Sequence, residues 1–154
     1  MNPFWTFSLA LYDQPGVAAA CIELQDRHGL DVNLVLFACY ASARGIRLAP
    51  ADIDVLEDTV ADIRETLVKP VRVLRRHASE LGESDVKQAL LSAELAAEEA
   101  QQAIMWRVGQ SLGTAADPVR EADLLRANLQ LVSGESLESF ALLVIGLLPL
   151  AMAQ

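Results

Sequence analysis

Two long amphipathic stretches, separated by only a short turn, restrict this chain to few architectures. Ile53, Leu56, Val60, Ile63, Leu67, Val71, Leu74, Ala78 and Leu81 recur at intervals of three and four. Val86, Leu90, Ala93, Ala97, Ala100, Ile104 and Val108 do the same. That period places each set along one face of an α-helix. Gly82-Glu83-Ser84 lies between them, with Gly to stop one helix and Ser to start the next. So short a link folds the two helices back as an antiparallel hairpin. Ala93, Ala97 and Ala100 predict the close approach of a neighbouring helix. Pro70 removes one backbone hydrogen bond and clashes with the preceding turn, which predicts a kink or break near Lys69.

The N-terminal third reads as three helices. Asn2-Pro3 is an N-cap followed by proline at the first helical position. Phe4, Trp5, Phe7, Leu9, Leu11 and Tyr12 then make a short helix that is apolar on most sides. Gln14-Pro15 begins a second, with Val17, Ala20, Cys21 and Leu24 on one face and Gly29 as its C-cap. Asp31 is the natural N-cap of a third. From Val32 to Ala41 that helix has almost no polar face, which predicts a central position. Six of the eight aromatic residues lie in these three helices. Beyond the hairpin, Gly113 to Asp117 is a loop, Asp117-Pro118 caps a sixth helix, and Ser136 caps a last one from Leu137 to about Met152. The fold expected is all-α: a single domain over 1–154, a bundle of about seven helices with a central long antiparallel hairpin.

The composition agrees. Apolar residues make up 53% of the chain, with Ala and Leu dominant and only 5% aromatic, which favours helix over strand. Twelve Lys and Arg against 21 Asp and Glu leave a net charge of −9. Such a field repels a phosphate backbone, so no nucleic acid is expected as a partner. Cys21 and Cys39 sit in apolar helical runs and are expected as buried thiols. Asp13 interrupts the N-terminal apolar run, and no basic segment precedes it, so no secretory signal is expected. The run from Phe140 to Ala153 spans 14 residues and contains Pro149, whereas a membrane span needs roughly 20. A cytoplasmic location without a membrane span is the expectation.

The densest polar cluster in the N-terminal third is Leu24 to Asn33, a corner between two buried helices. Asp26, His28, Asp31 and Asn33 place two carboxylates, an imidazole and an amide within eight residues. A hard cation would accept Asp26, Asp31 and Asn33 as oxygen ligands, but the spacing matches no metal motif. Capping accounts for Gly29 and Asp31, and His28 complements a helix dipole. Neither histidine has a glutamate three residues before it, so a di-iron centre is excluded. No metal and no cofactor is expected. Further along, Lys69, Arg72 and Arg76 form the only basic stripe, suited to a phosphate, an acidic partner or a salt-bridged face. No phosphate loop, nucleophile elbow or Cys/His pair is present, and no catalytic residue is assigned.

The N-terminal third carries Phe4-Trp5-x-Phe7-Ser8-Leu9-x-Leu11-Tyr12, then Pro15-Gly16-Val17. Ala20-Cys21-x-x-Leu24-Gln25-Asp26-x-x-Gly29-x-Asp31-Val32-Asn33-x-x-Leu36-Phe37 follows. Over roughly residues 4 to 45 this resembles a family of short, uncharacterised proteobacterial proteins. The resemblance implies a shared helical domain and no particular chemistry. It also implies that Trp5, Gln25, Asp26, Asp31 and Asn33 belong to one structural or binding unit.

Three functions are compatible with these residues. The first is a non-enzymatic helical interaction protein, with a protein partner or a second copy of itself. The second is a small-molecule or lipid-binding bundle with its polar corner at residues 25–33, which predicts a closed apolar cavity of several hundred Å³ beside that corner. The third, an enzyme using Asp26 or Asp31 as acid or base, requires one of these carboxylates in a cleft with a raised pKa.

Overall fold

Helix α3 (Val32–Ala43) is the axis of the structure, and every residue from Asn33 to Ser42 is buried. The computed structural model describes residues 2–154. Before α3 come α1 (Pro3–Tyr12) and α2 (Val17–His28). After it come α4 (Pro50–Ile63), α5 (Lys69–Glu80), α6 (Ser84–Gly109), α7 (Glu121–Ser133), α8 (Glu138–Val144) and α9 (Leu148–Met152). A π-helical turn, Arg64–Val68, joins α4 to α5 without a break, and a 3-10 turn, Ile145–Leu147, joins α8 to α9. The described residues therefore form seven continuous helical rods in an all-α bundle.

The rings of Phe4, Phe7, Phe37 and Tyr40 meet between α1 and α3. Phe4 and Phe37 pack edge to face, with centroids 5.2 Å apart and planes at 88°. Each fully buried ring contributes about 1.5–3 kcal/mol from surface removed from water. Local signals set the ends of these helices. The Asn2 side chain accepts from the Phe4 and Trp5 amides. Gly29 adopts a left-handed φ of 63° and closes α2. The Asp31 carboxylate accepts from the Asn33 amide at 2.9 Å.

Other features depart from expectation. Ile46–Arg47 and Thr114–Ala115 pair as a short antiparallel ladder, β1 and β2, where a loop was expected. Gly113 makes that pairing possible: a Cβ there would lie 2.5 Å from Ile46 Cγ2 and 2.9 Å from the Arg47 carbonyl oxygen. Helix α7 begins at Glu121, not at Asp117-Pro118, and no side chain caps it. The last rod starts at Glu138 and is also uncapped; in the loop before it, the Ser133 hydroxyl accepts from Glu135 N.

The most consequential difference lies in the hairpin. Pro70 has no N–H for the Thr66 carbonyl, and the chain widens into the π turn, where the Lys69 amide reaches back five residues to the Arg64 carbonyl. The expected kink is thus a π turn just before the proline. One extra residue rotates the face downstream by up to about 100°. Leu67 and Leu74, expected inside, are exposed, while Val68 is buried and Arg72 and Arg75 turn inward. Helix α6 shows the complementary change. Val86, Ala93 and Ala100 are exposed, and the buried side carries Glu94, Ala97, Gln101, Gln102 and Met105. The end of the hairpin, residues 79–89, is exposed throughout. No helix among the described residues is long and apolar enough to cross a membrane.

Candidate ligand cleft

The inward polar faces of α5 and α6 interlock. Arg72 Nε donates to Glu94 Oε1 at 2.8 Å, and its Nη2 donates to Glu98 Oε1 at 2.8 Å. Arg75 donates to both oxygens of Glu94, through Nε and through Nη2. Glu94 is therefore a buried carboxylate gripped by two guanidinium groups. Burial alone would raise its pKa, but the bonds from Arg75 and Arg72 outweigh that and hold it low. Glu98 shares only Arg72, and burial pushes its carboxyl above the ordinary value. One turn further along α6, Gln102 donates from Nε2 to Asn33 Oδ1 at 2.9 Å. Gln101 donates to Asp31 Oδ2 at 2.7 Å.

A cleft of about 230 Å³ opens above this ladder. Its floor and walls include Trp5 and Ser8 from α1, Gln25 from α2, Asn33 from α3, Arg72 and Arg75 from α5, and Glu94, Glu98 and Gln102 from α6. Leu9, Tyr12, Ile22, Leu91 and Leu95 also line it, and these five are 38% to 50% exposed. The cleft thus has polar groups at its base and an apolar rim. Ser8 and Gln102, which line it, each carry a buried oxygen, Oγ and Oε1, with no hydrogen-bond partner among the described residues. Leaving such a group unpaired costs about 1–3 kcal/mol.

A second cleft, of about 330 Å³, lies on the other side of Gln25 and Arg72, which line both. Half of its lining residues are charged, Asp31, Glu57, Arg64, Lys69 and Arg72, and Gln101 lies among them. Arg64 Nη1 donates to Asp31 Oδ2 at 3.3 Å and to Glu57 Oε2 at 2.6 Å. The Oε1 atom of Gln101 is buried here without a partner.

The residues singled out in the sequence separate accordingly. Trp5, Gln25 and Asn33 come together in the first cleft, and Asp31 lines the second. Asp26 lines neither. It pairs with Arg76 at 2.6 Å on the surface, and that bond holds its carboxyl below the usual range. Asp31 is committed to its helix cap and to Arg64 and Gln101. Asp26 does not meet the condition for an acid or base, since it lies outside both clefts with its carboxyl held low; the cleft carboxyl that burial raises is Glu98. The basic stripe also divides: Lys69 pairs with Glu65, Arg72 with Glu94 and Glu98, and Arg76 with Asp26. No group of three or more His, Cys, Asp or Glu among the described residues could hold a metal ion.

Sequence reasoning passed over Ser8, Arg75, Glu94, Glu98, Gln101 and Gln102. The usable signal was a polar stripe on α6 at helical spacing, Glu94, Glu98, Gln101 and Gln102, opposite the arginines of α5.

A family model described as a protein of unknown function, DUF2390, matches residues 3–105, more than half of the chain. Every residue lining the first cleft falls within that span. No curated protein and no solved structure matches the chain. This chain is a member of the DUF2390 family, whose function is unknown.

Proposed function

We propose that this protein binds a small amphipathic molecule in the cleft between α1–α2 and the α5–α6 hairpin. The observation that carries this reading is the pair of buried, unpartnered polar atoms, Ser8 Oγ and Gln102 Oε1, in the lining of a cleft with an apolar rim. Binding sites of this kind pair mostly apolar walls with a few converging polar groups. Trp5, Gln25 and Asn33 act as one unit with Arg72, Glu98 and Gln102 around the ligand's polar end. Leu9, Ile22, Leu91 and Leu95 cover its apolar end.

Trp5 reports on the cleft directly. With Trp106 changed to Phe, titration with octylamine, octan-1-ol and octanoate should give a saturable change in Trp5 fluorescence for at least one of the three. Leu95→Arg, at an exposed rim position, should abolish that change without unfolding the protein. The reading fails if none of the three saturates, or if Leu95→Arg binds as tightly as the parent.

A second reading, self-association, is favoured by the outer face of the hairpin. Leu67, Leu74 and Leu81 recur at seven-residue intervals along its solvent side, with Leu74 54% and Leu81 65% exposed. Sedimentation equilibrium should then show a dimer that Leu74→Lys with Leu81→Lys dissociates; a monomer at all concentrations rules it out.

A further inference from the structure

We propose that the polar end of the ligand is an amine, bound as an ammonium by Glu98 with help from Gln102 Oε1 and Ser8 Oγ. This rests on the reading of the first cleft as a ligand site and specifies its chemistry.

The buried, unpartnered side-chain atoms in the cleft lining are both oxygens, those of Ser8 and Gln102. Gln102 already uses its Nε2 on Asn33, so its free atom is an acceptor. Glu98 lies four residues before Gln102 on the same face of α6, and its bond from Arg72 engages Oε1 alone. Among the described residues, no donor bonds its other carboxylate oxygen. The Gln102 and Glu98 oxygens call for donors, and an ammonium brings three on one charged atom.

Charge favours the same choice. The two arginines do not offer a free anion site, because both are bonded to Glu94, a buried carboxylate. An incoming carboxylate would have to compete with a partner already fixed between them. Glu98 is the member of the ladder that lacks full compensation: it shares a single guanidinium with Glu94. Burial disfavours its charge, and a cation beside it would relieve that cost. Trp5 and Tyr12 place aromatic rings in the same lining, surfaces that attract an ammonium or its adjoining methylenes. At longer range, the net charge of −9 draws cations toward the protein.

The three probes share one chain length and differ only in the head group, so their ranking at neutral pH is the test. Octylamine should bind roughly tenfold more tightly than octan-1-ol, the worth of one charge-assisted hydrogen bond, and octanoate most weakly. Glu98→Gln keeps the shape of the side chain and removes its charge. In that variant octylamine should lose its advantage over octan-1-ol, with the fold checked by circular dichroism. Equal binding of octylamine and octan-1-ol, or tightest binding of octanoate, overturns the amine and leaves the cleft a ligand site. Binding of none of the three overturns the site and the amine together. The wild-type ranking needs no variant, so a Glu98→Gln protein that fails to fold does not protect the proposal.

Discussion

Asn33 and Gln102, 69 positions apart in the chain, are joined by a buried hydrogen bond of 2.9 Å between their side-chain amides. Asn33 stands in the first turn of the central helix, beside the cap made by Asp31. Gln102 stands on the inward face of α6. The bond fixes the register of the hairpin against the axis of the bundle, and Gln101 repeats it one residue earlier through Asp31. The first cleft is therefore framed by polar bonds between helices, and its geometry depends on them.

The acid stability of the protein should reflect the opposite environments of Glu94 and Glu98. The bonds from Arg75 and Arg72 hold the Glu94 carboxyl below its ordinary value of 4.5. Its stabilising contribution is therefore complete above that value and is lost as pH falls further, through its folded value. Glu98 has the opposite sign. Burial raises its carboxyl, so its protonation adds stability as pH falls from its folded value toward 4.5. Urea denaturation across pH should show Glu94→Gln flattening the curve below that value. Glu98→Gln should remove the gain above it. At neutral pH, Glu94→Gln should cost about 3 kcal/mol, because it leaves two arginines without their shared anion. A loss under about 0.5 kcal/mol, the range of an ordinary surface substitution, would show that the ladder is ornamental.

Asn128 should tolerate no change of charge. It is fully buried, and its Nδ2 donates to Ser42 Oγ and to the Ile46 carbonyl, each at 2.9 Å, while its Oδ1 accepts from the Leu48 amide at 3.0 Å. This one side chain ties α7 to the end of α3 and to β1. Asn128→Asp removes both donors and sets a carboxylate against a carbonyl oxygen, at an expected cost above about 3 kcal/mol. Thermal unfolding at neutral and at acid pH checks this, because protonating the new carboxyl should recover part of the loss.

Gly109 ends α6 against the ring of Phe37. A Cβ at this position would lie 2.4 Å from Phe37 Cζ and 2.7 Å from Cε2. Phe4 and Tyr40 pack against the same ring, with centroids 5.2 and 6.3 Å from its own. Gly109→Ala should therefore lower stability by about 1–3 kcal/mol, even though alanine is the better helix former by about 1 kcal/mol. A rise in the melting temperature would contradict the tight contact.

Cys21 and Cys39 should be silent in the folded protein. Both are buried, with no disulfide between them. Burial pushes the Cys21 thiol up to about 12 and raises that of Cys39 as well, so neither supplies thiolate at neutral pH. Ellman's reagent should register no thiol until denaturant is added and then two. Prompt labelling of the native protein would place Cys21, which lines the first cleft, in contact with solvent.

Much of the scaffold was legible in the residues. The seven rods, the Asn2 and Asp31 caps, the Gly29 stop and the central α3 all follow from local periodicity and end signals, which act over a few residues. Trp5, Gln25 and Asn33 were also picked out, although the sequence offered no reason for their convergence. The faces of the hairpin were misread for an identifiable reason. Counting apolar spacings assigns Leu67 and Leu74 to the core and Glu94 to solvent. The π turn ahead of Pro70 then rotates α5 away from that assignment.

What the sequence by itself determined is the number of helical rods, the ends marked by Asn2, Gly29 and Asp31, and which helix lies at the centre, because capping and amphipathic period are short-range properties. Only the tertiary structure decided that α6 buries its polar side. Glu94 can leave water because Arg72 and Arg75, 22 and 19 positions away, neutralise it there. No local pattern records that compensation, and the cleft exists because of it.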